Sequence, residues 1–133
     1  MARSWTKTEA FAHFGVVLEN VRWSWSGVSK DGSTVVLVLW QDGIEGRNGD
    51  LRYADEDDLG AEWRQRIGAK RRSEHLKQAV DQLGGKFRAV IAKAVDTEAN
   101  PRQIEKCFPQ QGAEWQIDHF DESTGAFAAH VLR

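Results

Sequence analysis

The feature that most constrains this chain of 133 residues is a hairpin pattern in the stretch NVRWSWSGVSKDGSTVVLVLW, residues 20–40. Asp31-Gly32 is a strong signal for a two-residue turn, because both positions of such a turn favour positive φ. Apolar and polar residues alternate from Val21 to Trp25, as in a half-buried strand. The run from Thr34 to Trp40 has no such alternation, which indicates a strand covered on both faces. The stretch therefore predicts two antiparallel strands.

Counting outward from a two-residue turn gives the register of this hairpin. The register decides which side chains share a face, because a slip by one residue would move every side chain to the other face of the sheet. On one face, the register groups Trp23, Trp25, Val38 and Trp40. On the other face, Ser26 lies opposite Leu37, and the small serine leaves room for a helix.

Two helices are predicted from their caps. In TKTEAFAHFG, Thr6 can cap the N-terminus and Glu9 completes a capping box. In SEHLKQAVDQLGG, Ser73 is the predicted N-cap and Gly84 follows the C-terminus. The second helix has an apolar stripe made of Leu76, Ala79, Val80 and Leu83.

The remaining segments predict further strands. KFRAVIAKAV is typical of a strand with Phe87, Ala89 and Ile91 on one face. The tail AEWQIDHFDESTGAFAAHVL predicts a second hairpin that turns near 123–125. Residues 41–60 are turn-rich and contain a predicted short strand at 51–54.

Asn100-Pro101 predicts an N-cap followed by proline at the first helical position, which would start a short helix that Pro109 ends. Because the predicted strand pairs are adjacent in sequence, we expect an α+β fold. Its sheet would be mostly antiparallel, either strongly bent or closed as a small barrel, with two to three helices packed at its ends. A single domain is expected over 1–133, with a helical arm at 1–15 and a sheet-based body at 16–133.

Composition excludes several classes of protein. The net charge of −2 is unlike that of domains that grip nucleic acid over a wide surface, so any such binding needs a local patch. Cys107 is the only cysteine, which excludes a disulfide within the chain and a thiolate-rich zinc site. The start of the sequence has no secretory h-region, and its longest apolar run, Val35–Trp40, is too short to span a membrane. These features predict a cytoplasmic protein without a membrane partner.

The tryptophans of the first hairpin have two interpretations. They could fill the core, as aromatic residues do in many small domains. They could also form a stacking site for a nucleobase, since every base has a π-face. The base-stacking candidates are Trp23, Trp25 and Trp40, with Tyr53 and Trp63 as further candidates from the loop region.

The segment RQRIGAKRR is a basic cluster that also has two interpretations. It could be a solvated surface, as most runs of charge are. It could instead neutralise phosphates, which supplies affinity without sequence specificity. The phosphate-binding candidates are Arg64, Arg66, Lys70, Arg71 and Arg72.

No catalytic motif is recognisable, so we predict no catalytic residue, no cofactor and no metal site, and a small enzyme with an unrecognised site is the third alternative. The four histidines are scattered without a ligand signature such as HExxH. A metal site from His119, His130 and a carboxylate is a weak alternative. Cys107 has no obvious base beside it, which favours a buried thiol.

This pattern of a strand-rich body, inserted helices, tryptophans and basic residues such as Arg71 and Arg72 resembles the PUA-like superfamily over roughly residues 16–132. That group includes the EVE, YTH and SRA domains, which bind modified bases. The resemblance implies a non-catalytic reader of a modified DNA base, held by aromatic rings after extrusion from the stack. It also implies a separate nuclease domain or protein as partner, as in a restriction-type bacterial defence system. The alternative is a protein-interaction module with a tryptophan-rich core, which would bind through the 41–60 loop or a sheet edge.

Overall fold

The structure, a computed structural model, describes residues 5–19, 24–46, 51–55, 67–96, 104–122 and 126–132. Its α-helices are α1 (Lys7–Ala12) and α2 (Ile67–Gln82). Its strands are β1 (Ser26–Val28), β2 (Val35–Trp40), β3 (Ile44–Glu45), β4 (Arg52–Asp55), β5 (Lys86–Ala94), β6 (Ile104–Pro109), β7 (Glu114–Phe120) and β8 (Phe127–Leu132), and a 3-10 turn spans Gln41–Gly43. The fold is mixed α+β. Neither helix of the described ranges has the length and apolar character that crossing a membrane requires.

The register predicted for the first hairpin is confirmed. Ser26 lies opposite Leu37 in the antiparallel pair of β1 and β2. The pairing continues beyond the strand, because the amide of Val38 donates to the carbonyl of Trp25 at 3.0 Å. All but the last residue of β2 are buried, as expected for a strand covered on both faces.

The turn of this hairpin is longer than the sequence predicts. The amide of Ser29 donates to the carbonyl of Thr34 at 2.9 Å, so four residues form the loop instead of two. The loop is still centred on Asp31-Gly32, which leaves the register unchanged, and Gly32 has a φ of 75°. Hydrogen bonds from Ser33 and Ser29 lower the pKa of the Asp31 carboxyl to about 2.

The strands form one eight-stranded sheet in the order β1-β2-β5-β7-β8-β4-β3, with β6 also paired to β5. The pairing of β2 with β5 is parallel, and Val36 lies opposite Arg88 there. The other strand pairs are antiparallel, as expected. The sheet does not close into a barrel: β1 and β3 are the two ends of its order, and they do not pair with each other in the described part of the chain.

Strand β5 is the branch point of the sheet. Its first residues pair with β7, and residues from Val90 onward pair with β6 on the same edge. The connection between β6 and β7 is fixed at Gln110, whose amide donates to the carbonyl of Ala89 at 2.9 Å. The Gln110 side chain also accepts a hydrogen bond of 2.7 Å from the buried indole of Trp115.

Alternate side chains of β2 and β5 point to two cores, one on each face of the sheet. The core on the face covered by α2 includes Val35, Leu37, Leu39, Leu76, Ala79, Phe87, Ala89, Ile91 and Trp115. The core on the face covered by α1 includes Ala10, Phe11, Val16, Val36, Val38, Val90, Ala92 and Cys107. The helices therefore cover opposite faces, and do not close the ends of a barrel.

Several local predictions are confirmed. Thr6 and Glu9 form the capping box of α1, and Gly15 follows the helix with a φ of 79°. Gly84 follows α2 with a φ of 65°. The short strand expected at 51–54 is β4, which pairs with β8.

Two predictions about helices are wrong. Ser73 is not an N-cap, because α2 begins at Ile67 and continues through the basic segment, whose Ala, Lys and Arg residues favour helix. The segment that ends at Pro109 is strand β6 instead of a helix. Its Cys107 and Pro109 are buried while Phe108 between them is exposed, which is the period of a strand. Asn100-Pro101 lies outside the described residues.

Candidate functional site

Two of the tryptophans predicted to share a face lie in contact. The ring centroids of Trp25 and Trp40 are 5.7 Å apart, and their planes are tilted by 46°. Both side chains are partly exposed and pack against the core on the α1 face. Trp25 directly precedes β1, and Trp40 is the last residue of β2, so the hairpin register places the two rings together. We call these two rings the tryptophan pair.

A cation lies beside this pair. The ammonium of Lys7 is 4.6 Å from the ring centroid of Trp25, within the range of a cation–π contact. It also donates a hydrogen bond of 2.8 Å to the carbonyl of Ser24. Burial lowers the pKa of Lys7, and the nearby Cys107 opposes that shift. Sequence reasoning missed this lysine, since a lysine directly after an N-cap carries no signal of its own.

The ring of Tyr53 packs on the opposite face of the sheet from the tryptophan pair. It is buried in the core on the α2 face, and its ring centroid is 5.9 Å from that of Phe127. Its hydroxyl accepts a hydrogen bond of 3.4 Å from the backbone amide of Trp40. Four other candidates lie outside the described residues: Trp23, Trp63, Arg64 and Arg66.

The described basic candidates lie on α2, across the sheet from the tryptophan pair. Lys70 and Arg71 are exposed. Arg71 forms ion pairs with Glu19 at 3.1 Å and Glu74 at 2.9 Å, and these carboxylates raise the pKa of its guanidinium. Arg72 is 8% exposed, and its guanidinium carbon lies 5.4 Å from the ring centroid of Phe127. The structure thus separates these cations from the indoles.

Other reactive side chains are dispersed. Nδ1 of His130 lies 2.8 Å from the carboxylate of Asp118, across the hairpin of β7 and β8, while His119 is exposed. Cys107 is buried as predicted, and this burial raises the pKa of its thiol. Within the described ranges, no three His, Cys, Asp or Glu side chains are grouped so that they could hold a metal ion.

Comparisons of the chain with protein-family models, with curated proteins and with solved structures found no match.

Proposed function

We propose that this chain is a non-catalytic nucleic-acid-binding domain that stacks a base against Trp25 and Trp40. The observation that carries the proposal is the contact between two partly exposed indoles with a lysine ammonium beside them. Stacking of a base on an aromatic side chain contributes about 1–3 kcal/mol. Lys7 would supply positive charge for the adjoining backbone phosphate.

The distribution of charge favours a small contact over a wide one. The net charge of the chain is −2, and the exposed cations Lys70 and Arg71 lie on the opposite face of the sheet. A single-stranded segment or one extruded base needs only a local site, and extrusion from a duplex costs a few kcal/mol. The same proposal includes three further points: a PUA-like fold, specificity for a modified base, and a separate nuclease domain or protein as partner. Lys70, Arg71 and Arg72 stay candidates for phosphate contacts on the α2 face.

A fluorescence titration tests this proposal. Short single-stranded DNA and RNA are added to the protein at low salt, with and without methylated cytosine. We expect quenching of the indole emission, since a stacked base contacts the rings directly. Quenching by only the methylated strand would support a modified-base reader. If no strand binds at low salt, the proposal is wrong.

Matched variants locate the surface. Trp40→Phe and Lys7→Gln should weaken binding, while Lys77→Gln should not, because Lys77 is an exposed lysine of α2 that pairs with Asp81 at 3.5 Å. If Lys70→Ala and Arg71→Ala abolish binding while Lys7→Gln does not, the nucleic acid binds the α2 face and the proposed site at the tryptophan pair is wrong.

A second candidate function is a protein-interaction module, and the edge of the sheet favours it. In the described part of the chain, β1 pairs with β2 alone, so its outer edge is available for a further strand. Val17, in the segment that packs on Gly27 of β1, is 74% exposed. Binding of a defined protein partner that Val17→Lys abolishes, with no shift of nucleic acid in a gel, would favour this function.

A further inference from the structure

A pocket of about 230 Å³ lies where β2 and β5 begin, at the opposite end of β2 from Trp40. The parallel pairing of these strands starts at Val36 and Arg88. Residues just before this first pair, such as Thr34 and Lys86, do not extend the pairing between β2 and β5 and line the pocket. The space between the two strands is therefore open at this end of the sheet.

Arg88 lies in the wall of the pocket, and among the described residues it has no anionic partner. Its guanidinium carbon lies 5.3 Å from the ring centroid of Phe14, and its Nε is buried without a hydrogen-bond partner. None of the carboxylates in the described ranges forms an ion pair with it. A buried donor without an acceptor costs free energy. The contact with the Phe14 ring positions the guanidinium in the wall of the pocket, where an anionic ligand can pair with it.

The polar lining selects the charge of that ligand. Lys86 and Arg88 contribute two positive charges and Glu114 one negative charge, so the lining carries a net charge of +1. The hydroxyl of Thr34 adds a donor, whereas that of Ser33 already donates to Asp31. A single carboxylate balances this charge, whereas a phosphate dianion would exceed it and face repulsion from Glu114. The planar fork of an arginine also matches a carboxylate.

The remaining lining selects the body of the ligand. Phe14 and Leu83, which are partly exposed, present aromatic and aliphatic carbon to the pocket, and the buried Val35 and Phe87 lie behind this surface. Small-molecule sites combine an apolar wall with a few polar groups that fix orientation. We propose that this pocket binds a small monocarboxylate with an apolar body, through a salt bridge to Arg88.

Benzoate is the probe, because it joins one carboxylate to an apolar ring. The full chain is titrated with benzoate, benzamide or inorganic phosphate up to about 10 mM, the concentration range for weak ligands. Binding is followed from the ¹H–¹⁵N signal of the Arg88 Nε, which burial protects from exchange. We expect benzoate to shift this signal, and benzamide and phosphate to leave it unchanged. No shift with benzoate, or an equal shift with phosphate, overturns the proposal.

Variants separate the charge of Arg88 from its shape. Arg88→Lys keeps the charge and loses the fork, so it should weaken benzoate binding by roughly tenfold. Lys93→Gln is the matched control, because Lys93 is an exposed residue of the same strand that pairs with Glu105. Equal affinity in the Arg88→Lys variant and the unmutated chain would contradict the proposed salt bridge.

Glu114→Gln gives a second test that does not depend on how well the arginine variant folds. Removing this negative charge should strengthen benzoate binding and allow phosphate to bind. Unchanged binding of both ligands would contradict the argument from charge. The site lies apart from the tryptophan pair, so its titration can fail or succeed independently of the fluorescence titration with nucleic acid.

Discussion

The hydroxyl of Ser26 and Nδ1 of His75 lie 2.6 Å apart, and this hydrogen bond joins β1 to α2. Ser26 is 3% exposed, so the contact is shielded from water. The hairpin register directs Ser26 toward the face that α2 covers, and the apolar stripe of α2 fixes the orientation of His75.

The first prediction concerns this bond. Ser26→Ala should lower the free energy of unfolding by about 1 kcal/mol, the net worth of a typical hydrogen bond. Urea denaturation measures the loss. Ser73→Ala, at a partly exposed position of α2, is the control. In a double-mutant cycle, Ser26→Ala should have a smaller effect when His75 is already alanine, since the partner is gone. Equal effects in both backgrounds would contradict the bond.

The second prediction concerns pH. Burial lowers the pKa of His75 below its usual 6.5. The positive charge of Arg71 lowers this pKa further, whereas the carboxylates of Glu74 and Glu19 oppose the shift. The folded state therefore favours the neutral imidazole, and the unfolded state binds more protons below pH 6.5. The stability that His75 contributes should be complete above pH 6.5 and fall as the pH drops toward the folded-state pKa.

Urea denaturation across this pH range tests the dependence on His75. The His75→Gln variant should lose this part of the pH dependence, whereas His119→Gln, which changes an exposed histidine, should retain it. Identical pH profiles for the His75→Gln variant and the unmutated chain would contradict the assignment.

The third prediction concerns Gly27, where β1 meets the segment that follows α1. A Cβ at this position would collide with Cγ1 of Val16 and lie 3.9 Å from Cδ2 of Leu18. Overpacking of this kind costs about 1–3 kcal/mol, so Gly27→Ala should destabilise the fold. Val16→Ala should recover part of that loss in the double variant, as measured by thermal unfolding. Strictly additive effects would show that Val16 is not the obstacle.

The fourth prediction concerns the connection between β6 and β7. Gln110→Ala would leave the indole N–H of Trp115 buried without its acceptor, at a cost of about 1–3 kcal/mol. Trp115 is fully buried, so water cannot replace the amide without rearrangement. Gln111→Ala changes an exposed neighbour and should have little effect on the unfolding midpoint. Equal midpoints for the two variants would exclude a structural role for Gln110.

The fifth prediction concerns the thiol of Cys107. Burial raises its pKa, with the Lys7 ammonium opposing, and the side chain is 5% exposed. Because only the exposed thiolate reacts, labelling by a disulfide reagent should be roughly tenfold or more slower in the native protein than in urea. Rapid labelling without denaturant would mean that the α1 face opens readily.

Much of the local structure could be predicted because its signals lie close together in sequence. The capping box of α1 needs only Thr6 and Glu9, and the first hairpin follows from alternation around one turn. The parallel pairing of Val36 with Arg88 has no such signal, since it joins residues far apart in the chain and depends on the path of the chain between β2 and β5. Strand β6 was missed because prolines suggested helix boundaries, whereas its burial alternates.

The candidate site was predictable to a similar extent. Alternation places Trp25 and Trp40 on one face, and the structure confirms this placement. The distance of Arg71 from the pair depends on which face α2 covers. The small Ser26 indicates a helix on the face away from the rings, but the sequence does not show which helix it is. Arg88 could have been noticed, because strand alternation directs it to the same side as the buried Val90.

Strand β5 is held along one edge by β2 and along the other by β6 and β7. A strand that is paired along both edges cannot open without breaking its neighbours' hydrogen bonds. Its backbone amides should therefore exchange with deuterium only when the entire molecule unfolds. The amides with the slowest hydrogen exchange would then report the global stability of the chain, and they would lie in β5, the strand that also contains Arg88.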